Sequence, residues 1–148
     1  MTFVAPARHL LRARDLIDAR YAEPLDVPAL ARRAHASPAH FIRSFKRVFG
    51  ETPHQYLRTR RIERAQELLR STDLPVADVC SAVGFASVGS FSTTFKRLVG
   101  CAPTAYRRAW RDAPEAARAA AVPTCVVMAW TRPASRAVFE KSGPRAGG

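Results

Sequence analysis

Residues 37–58 read SPAHFIRSFKRVFGETPHQYLR, and residues 87–108 read SVGSFSTTFKRLVGCAPTAYRR. Nine of the 22 aligned positions are identical, and each identical pair lies 50 residues apart. Composition alone would give about one or two such matches, so the chain contains a repeated structural unit. The repeat duplicates a cationic helix together with the residues that hold it. Two copies of such a helix favour a long, repetitive, negatively charged partner.

The overall charge points to the same class of partner. The chain has 148 residues and a formal net charge of +12, and 21 of its 24 basic residues are arginine. This length suits one ordinary domain or two very small ones. The planar guanidinium group suits phosphate and guanine edges. Charge alone does not separate DNA from RNA or from an anionic membrane, and a coding bias toward arginine is an alternative for part of the excess.

The cysteines and histidines form no recognisable metal or catalytic motif. Cys80, Cys101 and Cys125 lie 21 and 24 residues apart, without a Cys-x-x-Cys pair. The four histidines have no acidic or cysteine partner at a useful spacing, and no phosphate-cradling glycine loop occurs. We therefore expect no metal, no cofactor and no enzymatic activity, and we expect Cys80 to be part of the hydrophobic core.

Apolar runs in the sequence are short. The longest one after the repeat, Cys125 to Trp130, has six residues, whereas a membrane-spanning helix needs about 20. The amino-terminal ten residues contain no sustained apolar segment before the first charges. These patterns predict a soluble, cytoplasmic protein with no membrane partner.

Helical periodicity extends from the start of the chain to about residue 111. Asp26, Ser37 and Ser87 are expected helix caps, and Gly50 and Gly100 are expected helix ends. The inward positions of the predicted helices include Leu10, Ala13, Ile17, Val27, Leu30, Phe41, Phe45, Val48, Phe49, Leu57, Ile62, Ala65, Leu68, Leu69, Val76, Val79, Cys80, Val83, Phe91, Phe95, Leu98 and Val99.

These elements predict an all-α fold of about seven helices, with two homeodomain-like helix-turn-helix subdomains joined by a long linker helix. The predicted subdomains are residues 1–52 and 72–111, with the linker helix at residues 53–71. A C-terminal extension at residues 112–148 is expected to be partly disordered. Within it, alanine-rich residues 112–121 should extend a helix, and residues 122–130 suit a strand or an extended packing segment.

The first repeated helix, at about residues 38–49, has an exposed face that helix geometry predicts. At about 100° per residue, Arg43 points almost directly away from the phenylalanines, and Ala39, Lys46 and Arg47 flank it. A small residue next to Arg43 permits close approach to a groove, and the flanking cations can contact phosphates. A merely solvated cationic face is the alternative, and the repetition of the face argues against it.

The second repeated helix, at about residues 88–99, keeps the cations Lys96 and Arg97 and has Gly89, Ser92 and Thr93 on the rest of this face. Because short side chains discriminate less between bases than arginine does, specificity is expected mainly in the first unit. Eighteen residues of linker helix would span about 27 Å, and one turn of B-DNA is about 34 Å. A monomer is therefore expected to insert both helices into successive major grooves of an asymmetric site.

The chain resembles the DNA-binding domain of the AraC/XylS family of bacterial transcriptional regulators over about residues 7 to 111. The resemblance implies two helix-turn-helix subdomains joined by a long helix, and activation or repression of promoters through contact with RNA polymerase. Most members carry a separate sensory domain, and because only about six residues precede the first helix here, we expect no small-molecule effector site. The matching residues are Val83-Gly84-Phe85, Ser87, Ser90-Phe91, Phe95-Lys96, Gly100, Pro103 and Tyr106-Arg107.

Two sets of contacts with double-stranded DNA are predicted. The resemblance implies base contacts at Ala39, Ile42, Arg43, Val88, Gly89, Ser92 and Thr93, and His40, just inside its helix, is added as a base-edge or phosphate contact. The predicted phosphate contacts are Ser37, Lys46, Arg47, Arg61, Ser87, Ser90, Lys96, Arg97 and Arg107. The expected location is the bacterial cytoplasm, at the nucleoid. The alternative function is non-specific binding of nucleic acid, as in a packaging or RNA-binding protein.

Overall fold

The computed structural model describes residues 4–120, which contain eight α-helices and no strand. No helix in this range is both long enough and apolar enough to cross a bilayer. The expected features of residues 122–148 lie outside the described residues. The helices are α1 (Val4–Ala19), α2 (Val27–Arg33), α3 (Pro38–Phe49), α4 (Pro53–Ser71), α5 (Val76–Ala82), α6 (Val88–Val99), α7 (Pro103–Asp112) and α8 (Glu115–Ala120).

The ends of the repeated helices are set by the same local interactions in both copies. The hydroxyl oxygen of Ser37 accepts a hydrogen bond from the amide of His40 at 3.2 Å, and that of Ser87 accepts one from the amide of Ser90 at 3.2 Å. Each helix then ends at a glycine in the left-handed region, Gly50 or Gly100. An N-cap of this kind contributes about 1 kcal/mol, so these few residues fix where each helix begins.

The aromatic packing is also duplicated. Phe45 lies 5.8 Å from Tyr56 between ring centroids, with an interplanar angle of 75°. Its counterpart Phe95 lies 5.5 Å from Tyr106, at 74°. These edge-to-face pairs connect each second helix to the helix that follows it, α4 or α7. The repeat is therefore a repeat of core geometry as well as of sequence.

Two hydrophobic cores result, and α4 contributes to both of them. Tyr56 and Leu57 of α4 belong to the first core, while Ile62, Ala65 and Leu69 belong to the second. The first core is completed by Leu10, Ala13, Ile17, Val27, Leu30, Ala31, Phe41, Phe45 and Phe49, and the second by Val79, Cys80, Val83, Phe91 and Phe95. The two helix-turn-helix units and the linker helix are as the sequence predicts.

Leu98 corrects one prediction about the core. The sequence predicts an inward position, but 43% of its surface is exposed. In the first unit α1 packs against α3, where the equivalent Val48 is half-buried. The second helix of each unit packs against three helices, α3 against α1, α2 and α4, and α6 against α4, α5 and α7, so α4 takes in the second unit the place that α1 has in the first. The end of α6 is nonetheless less covered, since Val99 is half-buried where Phe49 is buried.

The alanine-rich segment forms a separate eighth helix instead of extending α7. Pro114 disfavours a helical conformation at the residue before it, and Ala113 is extended, with φ −66° and ψ 139°. The helix therefore stops at Asp112 and restarts at Glu115. This break accounts for the difference between the expected seven helices and the eight in the described range.

The two helix-turn-helix turns differ in their left-handed residue. His35 has φ 55° in the first turn, whereas Gly84 has φ 91° in the second. The first turn therefore tolerates a side chain. The second does not, because a Cβ on Gly84 would lie 2.6 Å from the carbonyl oxygen of Ala22. Gly84 is needed for close approach between the second turn and the segment after α1.

Gly84→Ala and Gly100→Ala separate this steric effect from backbone strain. Both glycines have φ near 90–100°, but a Cβ on Gly100 would meet no atom within 4 Å. We expect Gly100→Ala to cost about 1–2 kcal/mol of unfolding free energy. Gly84→Ala should cost about 1–3 kcal/mol more, because Ala22 must move. Urea unfolding measures both losses, and equal losses would contradict the close approach at Ala22.

Candidate nucleic-acid interface

The exposed face of α3 matches the face that helix geometry predicts. Ala39, Arg43, Lys46 and Arg47 are exposed, and Ile42 is half-buried at the edge of the face. The opposite side of the helix carries the three buried phenylalanines. The structure thus brings a small residue and three cations together on one solvent-facing surface, which we call the α3 face.

The corresponding α6 face is flatter and less charged. Val88 is 44% exposed, Gly89 and Thr93 are also exposed, and Ser92 is half-buried. The exposed pair Lys96 and Arg97 completes the face and aligns in the sequence repeat with Lys46 and Arg47. The face offers short hydroxyl and apolar groups, which favour contact with a thymine methyl or with groove shape over bidentate hydrogen bonding.

The cations of these two faces are not neutralised within the described structure. Neither α3 nor α6 contains an aspartate or glutamate. Within residues 4–120, several acidic groups pair with other arginines: Arg14 with Asp15, Arg60 with Asp18 and Glu63, Arg64 with Glu67, and Arg111 with Asp73. Among the described residues, these pairs leave the positive charge of the α3 and α6 faces open to an external anion.

The beginning of each repeated helix adds further groups that suit anions. Ser37, Ser87 and Ser90 are exposed there, and the two capping hydroxyls each accept one backbone amide. The remaining free N–H groups and the positive end of the helix dipole favour a phosphate at such a position. The three serines are thus near groups that can bind a phosphate oxygen.

His40 is held by a partner that the sequence analysis did not identify. Its Nε2 lies 3.3 Å from the hydroxyl oxygen of Ser44, one helical turn further on, and Ser44 is buried. The second unit has Ser90 and Thr94 at the equivalent positions, so it cannot form this pair. The contact restrains the exposed imidazole ring of the first unit and leaves its other nitrogen for an external group. The i, i+4 spacing of histidine and serine was the available sequence signal.

Arg61 and Arg107, both predicted phosphate contacts, are engaged inside the protein. Arg61 donates from Nε to the carbonyl oxygen of Tyr21 at 2.6 Å and from Nη2 to that of Glu23 at 2.9 Å. Arg107 donates from Nε to the carbonyl oxygen of Leu69 at 3.2 Å, and its buried Nη2 has no partner among the described residues. The structure does not bring these two side chains to the α3 or α6 face.

Burial also affects two titratable groups outside these faces. It lowers the pKa of the Arg61 guanidinium below its usual value, although arginine stays charged at neutral pH. Burial raises the pKa of the Cys80 thiol, which agrees with its place in the second core. No cluster of three or more histidine, cysteine, aspartate or glutamate side chains that could hold a metal ion occurs in the part of the chain that the structure describes.

The chain is similar to known proteins over the region that carries these faces. A family model described as a helix-turn-helix domain matches residues 30–109. The DNA-binding domain of the global transcriptional factor AdpA, solved in complex with a target DNA, is 36% identical. The alignment covers 69% of this chain and 92% of that one, with a TM-score of 0.65. A transcriptional regulator from Chromobacterium violaceum, described as AraC-type, is 28% identical over 73% of this chain and 96% of its own, with a TM-score of 0.66.

Curated relatives are longer than this chain. The bifunctional transcriptional activator/DNA repair enzyme AdaA of Bacillus subtilis (strain 168) is 33% identical over 94 residues, which are 64% of this chain and 44% of AdaA. The matched region of this chain spans less than half the length of three such curated relatives. The likeness therefore concerns one domain of those proteins.

The internal hydrogen bonds of Arg61 and Arg107 predict slow solvent exchange of their Nε–H protons. Nuclear magnetic resonance of the free protein should show protected Nε–H signals for these two residues, because each donates to a main-chain carbonyl. The exposed Arg43 and Arg47 should exchange rapidly and are the matched controls. Equally fast exchange at all four arginines would contradict the assigned hydrogen bonds.

Proposed function

Because the chain belongs to the AraC-type family of helix-turn-helix transcriptional regulators, we propose that it regulates transcription by binding double-stranded DNA sequence-specifically. In this proposal α3 and α6 enter successive major grooves, and one molecule binds an asymmetric site. The observation that carries the proposal is the α3 face, where exposed Arg43 lies next to the small Ala39 and beside the exposed cations Lys46 and Arg47. AdpA, the relative solved with a target DNA, supports DNA as the polyanion.

In this proposal, each unit of the repeat reads one part of the DNA site. Residues 1–52 supply the first reading unit, residues 72–111 the second, and residues 53–71 the connection between them. Linker helix α4 has 19 residues, which correspond to about 28 Å at 1.5 Å per residue. This length is compatible with two units one turn of B-DNA apart, about 34 Å.

Base readout is assigned mainly to the first unit. Arg43 has the length and the planar fork to bind a guanine edge, and Ala39 allows the helix to come close. His40, restrained by Ser44, and half-buried Ile42 flank this position. In the second unit Val88, Gly89, Ser92 and Thr93 are assigned weaker base or shape readout.

Phosphate binding is assigned to both units. The exposed cations Lys46, Arg47, Lys96 and Arg97 are the main candidates, because none of them has an acidic partner within residues 4–120. The serines at the helix starts, Ser37, Ser87 and Ser90, add hydroxyl and amide donors. Such contacts raise affinity without reading sequence and make it depend on salt.

The remaining assignments follow from this role. A transcriptional regulator acts on RNA polymerase at a promoter, so RNA polymerase is the second proposed partner, and the bacterial cytoplasm at the nucleoid is the proposed location. We assign the chain no catalytic step, because the hydroxyl of Ser44, which lies beside the His40 imidazole on α3, is buried and out of reach of a substrate on the α3 face. We also assign it no small-molecule effector.

Two substitutions test the assigned contacts on a duplex obtained by in vitro site selection. Arg43→Ala should reduce discrimination at one guanine by about 1–3 kcal/mol, because it removes a bidentate contact. Lys96→Ala should weaken binding to all sequences and lower the slope of affinity against salt by about one. Titration of labelled duplexes at several salt concentrations measures both effects. If Arg43→Ala weakened every duplex equally, its role in base readout would be wrong.

A base-by-base substitution scan of the selected site tests the asymmetry between the units. Substitutions under α3 should cost about 1–3 kcal/mol each, and those under α6 should cost less because its face lacks long polar side chains. Equal penalties under both helices would contradict the asymmetry. If bulk DNA competed as well as the selected duplex, the non-specific alternative would be favoured over the proposed function.

A further inference from the structure

The segment Tyr21–Glu23, just after α1, lies where the two helix-turn-helix units meet. Tyr21 packs against the hydrophobic cores of both units. Its backbone leads from α1 toward α2, so it belongs by sequence to the first unit. A segment in contact with both cores can transmit the position of one unit to the other.

Arg61 of α4 binds the main chain of this segment from one side. Its guanidinium donates to two carbonyl oxygens two residues apart, at 2.6 Å on Tyr21 and 2.9 Å on Glu23. Two bonds from one planar, half-buried group fix both position and orientation of the backbone. The donors of this side chain are thus used in contacts within the protein.

Two further arginines of α4 hold the side chain of Tyr21. The guanidinium carbon of Arg60 lies 5.9 Å from the centre of the Tyr21 ring. The Nε of Arg64 donates to the Tyr21 hydroxyl at 3.2 Å, and the Arg64 side chain is also paired with Glu67. The segment is consequently held by both its backbone and its side chain.

The second unit contacts the same segment through its turn. A Cβ on Gly84 would lie 2.6 Å from the carbonyl oxygen and 2.9 Å from the Cα of Ala22. The next residue, Phe85, has its ring centre 5.9 Å from the Arg61 guanidinium carbon. His35 shows that the equivalent turn of the first unit accepts a side chain at φ 55°, whereas at position 84 both the φ of 91° and this close approach favour glycine.

We propose that the segment Tyr21–Glu23 is a clasp that fixes the second helix-turn-helix unit relative to the first, with Arg61 and Gly84 as positioning residues for the spacing of the two half-sites. The inference rests on the proposed function, because it concerns a site read by both units. Inserting one base pair moves a half-site by about 3.4 Å and rotates it by about 35°. A second unit that is held rigidly cannot follow that change, whereas one that is held loosely can.

The test uses the purified full chain and duplexes that carry the selected site with one or two base pairs added or removed between the half-sites. For the wild-type protein, a one-base-pair change should weaken binding about tenfold or more, as loss of base contacts in one half-site requires. For Arg61→Met, the same change should cost less than about threefold, while affinity for the original spacing falls moderately. Arg58→Met is the matched control, because Arg58 is an exposed arginine on the same helix.

The outcomes distinguish the clasp from two other roles of Arg61, a phosphate contact and a purely stabilising contact. If Arg61 instead contacts a phosphate, Arg61→Met lowers the salt slope by about one and keeps the full spacing penalty, which overturns the clasp. If Arg61 only stabilises the fold, binding weakens by the same factor at every spacing, which also overturns it. If the wild-type protein itself shows no spacing preference, the proposed two-groove site is wrong, and the clasp has no site to position.

A measurement without DNA keeps the inference testable should a variant bind poorly. Residual dipolar couplings of the free protein report the orientation of α3 relative to α6. The wild-type helices should share one alignment tensor, and Arg61→Met and Gly84→Ala should give two different tensors while circular dichroism shows intact helices. One shared tensor in both folded variants would overturn the clasp.

Discussion

Neither helix-turn-helix pair can bury its own phenylalanines without α4. Units of this size have too little interior to be stable alone, and the buried side chains of α4 divide between the two cores, with Tyr56 and Leu57 on one side and Ile62, Ala65 and Leu69 on the other. One continuous helix therefore stabilises both units and holds them apart. The exposure of the α3 and α6 faces depends on this arrangement, because the buried phenylalanines fix which way each helix turns its cations.

The features set by neighbouring residues were predictable from the sequence. Ser37 and Ser87 cap, Gly50 and Gly100 terminate, and the spacing of Phe41 and Phe45 orients α3, so the exposed face followed from local chemistry and periodicity. The features set across the chain were not. Arg61 donates to main-chain carbonyls 38 and 40 residues away. Because every residue has such a carbonyl, residue type does not predict which one will accept. Leu98 was misplaced because periodicity gives the direction of a side chain on its own helix and not how far the neighbouring helices cover it.

The arginines of this chain consequently include two groups that composition does not distinguish. Arg43, Arg47 and Arg97 are exposed and lack acidic partners within residues 4–120, whereas Arg61 and Arg107 donate to internal carbonyls. Arginine serves both purposes because its guanidinium can join a carbonyl, a carboxylate or a phosphate with the same donor geometry. A net charge of +12 therefore overstates how many cations are available to a polyanion.

Two of the three hydrogen bonds that the α4 arginines Arg61 and Arg64 donate to Tyr21–Glu23 end on main-chain carbonyl oxygens. These bonds therefore place few demands on the side chains of the segment. Glu23 contributes a carbonyl acceptor and Ala22 meets Gly84 through its main chain, so the side chains of both are free to vary, while the guanidinium at position 61 and the missing Cβ at position 84 are not. Residues on the α3 face lie outside this set. A chimeric protein that exchanges the α3 face and retains Arg61, Gly84 and the backbone path from Tyr21 to Glu23 would keep its geometry while acquiring a different target.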